Sequence, residues 1–248
     1  MQSLRRSSER GQGDYGWLKT RYSFSFAEYF DRVHMGFRSL RVINEDWVAA
    51  GGGFPEHPHR DMEIITYVIS GAIEHRDSMG NRSVISAGEV QRMTAGSGVT
   101  HSEFNPSADE DLHLLQIWIT PQQRGLAPSY ESRPIGVHEN PGVWQLVASP
   151  DGRNGSLKIH QDALLHAIQL QPNQQSHRDL ASKHGDHGTP GETGKGGHRG
   201  AWIQVISGGA TVGDFDLSAG DGLALNQMDR VDFAAGSAGC ELLMFDLS

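Results

Sequence analysis

His57-Pro58-His59 and His101-Ser102-Glu103 are the residues of this chain best suited to chemistry. Each pair is spaced i to i+2, and residues so spaced project from one face of a β-strand. If the two strands neighbour one another, three imidazoles and a carboxylate converge and leave positions open on an octahedral ion. An isolated H-x-H is weak evidence, because two unrelated surface histidines also fall at that spacing. The second pair strengthens it, since each stands behind its own glycine cluster, Gly51-Gly52-Gly53 and Gly96-Ser97-Gly98, where the backbone can turn tightly. Pro58 donates no backbone hydrogen bond, which places the first pair on an edge strand or at a strand start.

Composition agrees with a nitrogen and oxygen site. The chain has 13 histidines and one cysteine, Cys240, so thiolate ligation and an internal disulfide are both excluded. A formal net charge of −9 repels phosphate backbones and argues against bulk nucleic-acid binding. Met1 to Arg10 is polar and basic, and no long uncharged run follows. A soluble, cytoplasmic protein without secretion or membrane insertion is expected.

The elements that must carry these pairs read as strands. From Val42 onward, short alternating apolar segments are cut by Gly, Pro, Asn and Asp, the pattern of an all-β barrel or sandwich with few helices. Ile64–Ile69 is a strand turned at Ser70-Gly71, Ala72–Arg76 follows, and Asp111–Ile119 is a strand ended by Pro121. Lys19–Arg32 reads as a strand running into a short turn. Phe54 and Phe104, beside the pairs, and Trp118, Trp144 and Trp202 are expected in the core.

An internal echo suggests a duplicated unit. Val68-Ile69-Ser70-Gly71 recurs as Val205-Ile206-Ser207-Gly208, and Ser86-Ala87-Gly88-Glu89 as Ser218-Ala219-Gly220-Asp221. An irregular connector is expected between Pro121 and Val143, which divides the chain into residues 1–130 and 131–248. At the offsets of His57, His59 and His101 the second unit has Gly194, Gly196 and Phe233, so it lacks ligands. Its Gly- and His-rich stretch at about 177–200, with His177, His184, His187 and His198, reads as a solvated loop rather than a metal site.

GGGFPEHPHRDMEIITYVISG and AGEVQRMTAGSGVTHSEFNP resemble the two cupin motifs of the pirin family, above all its bacterial quercetin 2,3-dioxygenase-like members. The resemblance continues through HLLQIWITP, SPDGRNGSLKIHQDA and ELLMFDL and so covers nearly the whole chain. It implies a bicupin of two antiparallel, jelly-roll-like barrels with one divalent transition metal in the first, held by His57, His59, His101 and Glu103. Iron(II) is the expected ion, ahead of nickel, copper, cobalt, manganese and zinc. The implied activity is ring opening of a flavonol with O2 to a depside and carbon monoxide, by a monomer, with Glu103 or else Glu63 accepting the substrate's hydroxyl proton. Glu63 stands where the general cupin pattern has a ligand glutamate, so it is expected behind the ligand histidines. The alternative implied by the family is a metal-dependent, redox-sensing partner that regulates a transcription factor or an enzyme.

Overall fold

A computed structural model describes residues 2–181 and 198–248, so His184, His187, Gly194 and Gly196 lie outside the described residues. The leading half holds β1 (Gln2–Arg5), β2 (Gly11–Asp14), β3 (Leu18–Tyr22), β4 (Leu40–Val48), β5 (Gly53–His59), β6 (Glu63–Ser70), β7 (Ala72–Asp77), β8 (Arg82–Ser86), β9 (Glu89–Thr94), β10 (Val99–Phe104), β11 (Leu112–Ile119) and β12 (Ser129–Pro134). The second half adds β13 (Gln145–Ser149), β14 (Leu157–Lys158), β15 (Ala163–Leu170), β16 (Gln175–Asp179), β17 (Gly200–Val212), β18 (Phe215–Ser218), β19 (Gly222–Asn226) and β20 (Arg230–Leu247). Two short 3-10 turns, Ser7–Glu9 and Arg153–Gly155, are the only helical elements among the described residues. Among the described residues no helix is long and apolar enough to cross a membrane.

The leading half is a sandwich of a seven-stranded sheet, ordered β12-β9-β6-β11-β4-β3-β2, and a four-stranded sheet, ordered β5-β10-β7-β8. The eight strands of the second half, joined by β1, form a nine-stranded sheet around β17, β20 and β15. The fold is the all-β, two-unit antiparallel architecture expected from the sequence. Pro58 lies on β5, an edge strand of its sheet, where a missing backbone donor costs least.

The seven-stranded sheet is covered on both faces, and strand alternation divides its side chains between them. On β6, Ile64, Thr66 and Val68 face the four-stranded sheet, where Thr66 reaches Glu103 and Val68 packs with Ile73 and Ile85. The intervening Ile65 and Tyr67 face the second half. Ile65 joins a core that includes Leu165 and Phe245, and the Tyr67 hydroxyl donates to Glu241 Oε1 at 2.6 Å.

The sequence echo is a repeat of backbone geometry. Gly88 and Gly220 both adopt φ 81°, a left-handed conformation that favours glycine. The Gly88 N–H donates to the Val68 carbonyl at 3.3 Å, and the Gly220 N–H to the Val205 carbonyl at 2.9 Å. The same turn therefore ties the two echoed motifs together in each half.

The halves interlock more than a simple division implies. β1 pairs with β19 of the second sheet, and the Arg6 side chain donates to Asp221 Oδ2 at 2.8 Å. The segment expected to be an irregular connector carries β12, which pairs with β9 and straddles residue 130. Residues 177–179, expected to begin the loop, instead belong to β16, which pairs with β20 and includes His177. Alternation there is between exposed and half-buried residues, so it leaves no apolar signal in the sequence.

Candidate metal centre

β5 and β10 pair antiparallel, with His101 opposite His57 and Val99 opposite His59. A bulge between His101 and Glu103 then sets Glu103 opposite Phe54. Gly53 is required at this bulge, because a Cβ on it would overlap the Glu103 carbonyl oxygen and Phe104. The i to i+2 spacing acts as expected: ring centroids are 4.5 Å apart for His57 and His101, 4.7 Å for His57 and His59, and 4.9 Å for His59 and His101.

The three imidazoles each offer a nitrogen within 4.8 Å of the others. His57 Nδ1 lies 2.8 Å from the Pro55 carbonyl, which can only accept, so Nδ1 carries the proton and the Nε2 lone pair is free. His57 Nε2 is 3.1 Å from His101 Nε2. Two imidazole nitrogens bound at about 2.0–2.1 Å to one ion stand about 3.0 Å apart at a right angle and about 3.4 Å apart at a tetrahedral one. The spacing of this pair fits that range. Burial, reinforced by the neighbouring imidazoles, pushes His59 down to about 4, and burial likewise takes His101 to about 4, so both are neutral and able to ligate at neutral pH.

Glu103 joins this group through His101. It clusters with His101 and His75 rather than directly with His57 and His59. Its carboxylate is buried and firmly held: Oε1 accepts from Gln91 Nε2 at 2.6 Å and Oε2 from Gln116 Nε2 at 2.9 Å. Burial alone would raise its pKa, but the nearby His75 imidazole, with Nδ1 3.9 Å from Oε1, and the positive charges that His101, His75 and His57 carry at low pH bring it down to about 2. It is an anion built to face a cation.

His75 and Asp77 were not singled out in the sequence, yet they stand opposite Glu103 and His101 on β7. His75 Nε2 is 3.1 Å from Asp77 Oδ2, its ring stacks on Tyr130 with centroids 4.4 Å apart, and its Nδ1 lies 3.5 Å from His101 Nδ1. The signal was present, since His75-Arg76-Asp77 repeats the spacing of His101-Ser102-Glu103. It lacked a preceding glycine cluster.

Above the imidazoles opens a cavity of about 210 Å³ between the two sheets, walled on its apolar side by Phe26, Phe54, Ile64 and Trp118. Three polar atoms of its lining residues are buried without a hydrogen-bond partner: Asn44 Oδ1, Asp46 Oδ1 and Trp118 Nε1. Burial, with Glu103 and Glu45 nearby, pushes the Asp46 carboxyl up to about 7. Asp46 and Asn44 alternate on β4, so sequence periodicity was available, but ordinary strand residues gave no sign of facing a site.

Glu63 is not behind the histidines, which corrects the sequence expectation. It is one residue out of step with Ile64 and Thr66 and therefore faces the second half. Its buried carboxylate accepts from Thr94 Oγ1 at 2.8 Å and pairs with His160 Nδ1 at 2.9 Å. Phe104, expected in the core, is 38% exposed beside Gly53, whereas Phe54 lines the cavity and packs edge-on against Trp17. Of the three tryptophans only Trp202 is fully in the core; Trp118 and Trp144 are half-buried and line cavities. Phe233 is buried in the second core, and among the described residues no histidine and carboxylate cluster lies in that half.

Comparison with known proteins places these features in context. Residues 3–119 match the family model described as Pirin, and residues 146–247 match the Quercetinase C-terminal cupin domain. A quercetin 2,3-dioxygenase of Escherichia coli K12 is 46% identical over 98% of this chain and 97% of its own length. A putative quercetin 2,3-dioxygenase of Pasteurella multocida is 41% identical over the whole of both chains, 100% of each. The crystal structure of the E. coli bacterial pirin YhhW in complex with nickel(II) superposes with a TM-score of 0.89, at 44% identity, over 100% of this chain and 99% of that one.

Proposed function

Because this chain belongs to the pirin family of two-domain cupins, we propose that it is a metal-dependent dioxygenase that opens the ring of flavonols such as quercetin with O2. The observation that carries this reading is the triad of His57, His59 and His101, whose nitrogens meet at the floor of a largely apolar cavity. His57, His59, His101 and Glu103 hold one divalent transition metal, and iron(II) is our assignment among the ions such a nitrogen and oxygen set accepts. When bound, the metal supplies the redox chemistry that lets ground-state oxygen react with a singlet organic anion.

The protein's own residues prepare that anion. Phe26, Phe54, Ile64 and Trp118 bind the flat aromatic body, and the unpartnered Trp118 Nε1 and Asn44 Oδ1 orient its polar edge. At about 210 Å³ the cavity is smaller than the roughly 300–1,000 Å³ of drug-sized pockets, so it seats the reacting end of a three-ring ligand and leaves the rest at its mouth. Asp46 takes the hydroxyl proton. Its carboxyl, held near 7 and with a free buried oxygen, is a better base at neutral pH than Glu103, whose two oxygens are already hydrogen-bonded. This differs from the base expected from the sequence. The leading unit, residues 1–130, carries the chemistry, and residues 131–248 brace it through the shared core.

Anaerobic reconstitution with ferrous, nickel, copper, cobalt and manganese ions in turn, followed by oxygen uptake with quercetin, tests the reading. We expect stoichiometric oxygen consumption with at least one ion and its loss in His101→Ala. Full uptake by His101→Ala, or none with any ion, refutes it.

A further inference from the structure

A second cavity lies at the seam of the two halves, away from the imidazole triad. It encloses about 260 Å³ between β9 and β12 of the first sheet and β13, β15 and β16 of the second. β9 is the wall between the two sites: Gln91 reaches Glu103 on one face, and Val90 lines the seam cavity on the other. Nothing in the dioxygenase reading uses this space.

Its charge is one-sided. Arg133, Arg153, Arg178 and His166 line it, and no carboxylate does. Arg133 and Arg153 have partners outside it, Glu131 and Asp151, whereas Arg178 makes no ion pair among the described residues. His166 is only 2% exposed. Arg178 Nη2 approaches His166 Nε2 at 2.6 Å, and because a guanidinium only donates, Nε2 is the acceptor. The proton of the neutral ring then sits on Nδ1, which is buried without an acceptor. Burial and the charges of Arg178 and Arg153 hold His166 down to about 3, so the ring stays neutral. Arg178 Nε and Arg133 Nε are also buried and unpartnered.

Three buried N–H groups with nothing to accept from them, in a cavity with positive charge and no negative charge, call for a ligand that only accepts and carries the compensating charge. We propose that this seam cavity binds a small oxyanion, a carboxylate or phosphate group, through Arg178, Arg133 and His166 Nδ1. Its lining of three arginines and no carboxylate suits a small anion rather than a neutral aromatic ligand. The site is independent of the metal centre, and its failure would leave the dioxygenase reading intact.

Calorimetric titration of the metal-loaded full-length protein at low ionic strength tests it, with inorganic phosphate, acetate and benzoate as probes and benzamide as the neutral control. We expect saturable 1:1 binding of at least one oxyanion, no binding of benzamide, and at least a ten-fold loss of affinity in Arg178→Gln with metal content and oxygen uptake unchanged. Preference for phosphate or for the carboxylates identifies which group the site takes. If Arg178→Gln fails to fold, Arg133→Gln is read in the same way. Absence of saturable binding by all three oxyanions, or equal affinity in a folded variant, overturns the proposal.

Discussion

Glu63 Oε1 lies 2.9 Å from His160 Nδ1, a contact that joins the two halves of the chain on the far side of the sheet from the metal centre. Glu63 is fully buried, and Thr94 Oγ1 donates to its other oxygen. Replacing the carboxylate by an amide removes a charge-assisted partner and turns one acceptor into a donor. Glu63→Gln is expected to lose about 1–3 kcal/mol of stability. Metal content should be unaffected. Urea denaturation paired with metal analysis distinguishes this from a role at the centre, where metal content would fall in step.

Ligands and their supports should separate by metal affinity. His101→Ala removes a nitrogen from the triad and is expected to abolish stoichiometric metal binding. His75 sits behind Glu103 and His101, so His75→Gln should retain metal with an affinity lowered by about 10–100-fold, the usual cost of losing an outer-sphere partner. Competition with a chelator of known affinity measures both. Equal losses in the two variants would mean that His75 is itself a ligand.

Asp46 sets the pH dependence of catalysis if it is the base. Its carboxyl ionises at about 7 in the metal-free protein and a bound divalent cation lowers that value, so kcat/KM should rise with pH through a region at or below about 7, where the proton-accepting form appears. Asp46→Asn should lose that rising limb and retain the metal. An unchanged limb in the variant assigns the proton to another group.

Gly53 tests the bulge that aims Glu103. A methyl group there meets the backbone of Glu103 and Phe104, which cannot yield as a flexible side-chain end does. Gly53→Ala is expected to destabilise the protein by about 1–3 kcal/mol and to weaken metal binding as the bulge shifts. Thermal unfolding with and without metal reports both. Wild-type affinity in a folded Gly53→Ala protein would show that the bulge does not position the carboxylate.

Acid sensitivity of the metal-free protein should carry the mark of its buried imidazoles. Burial holds His59 and His101 at about 4 and His166 at about 3. In the unfolded chain these rings take up protons near about 6.5, before the folded protein does. The stability they contribute is therefore complete above about 6.5 and is lost as pH falls toward 4 and then 3. Urea midpoints measured from pH 7 to 4.5 should fall, and His166→Asn should make the fall shallower by one proton. A slope identical to wild type would show that His166 is not neutral in the fold.

Much of this was legible in the chain itself, because a strand has a fixed period of two. That period put His57 with His59 and His101 with Glu103, and the echoed Gly88 and Gly220 marked one turn used twice. The same period could have exposed His75-Arg76-Asp77. It could not show which face of a doubly covered sheet meets which neighbour, and there a shift of one residue reverses the role. Glu63 therefore serves the seam while Ile64 lines the cavity, and Asp46, an ordinary strand residue by sequence, acquires a pKa near 7 from the burial that packing imposes. The seam cavity is still further from sequence, since Arg133, Arg153, His166 and Arg178 come from four separate elements and meet only when the two halves close. Local geometry is written in spacing, whereas burial, charge balance and the pairing of distant strands belong to the assembled fold.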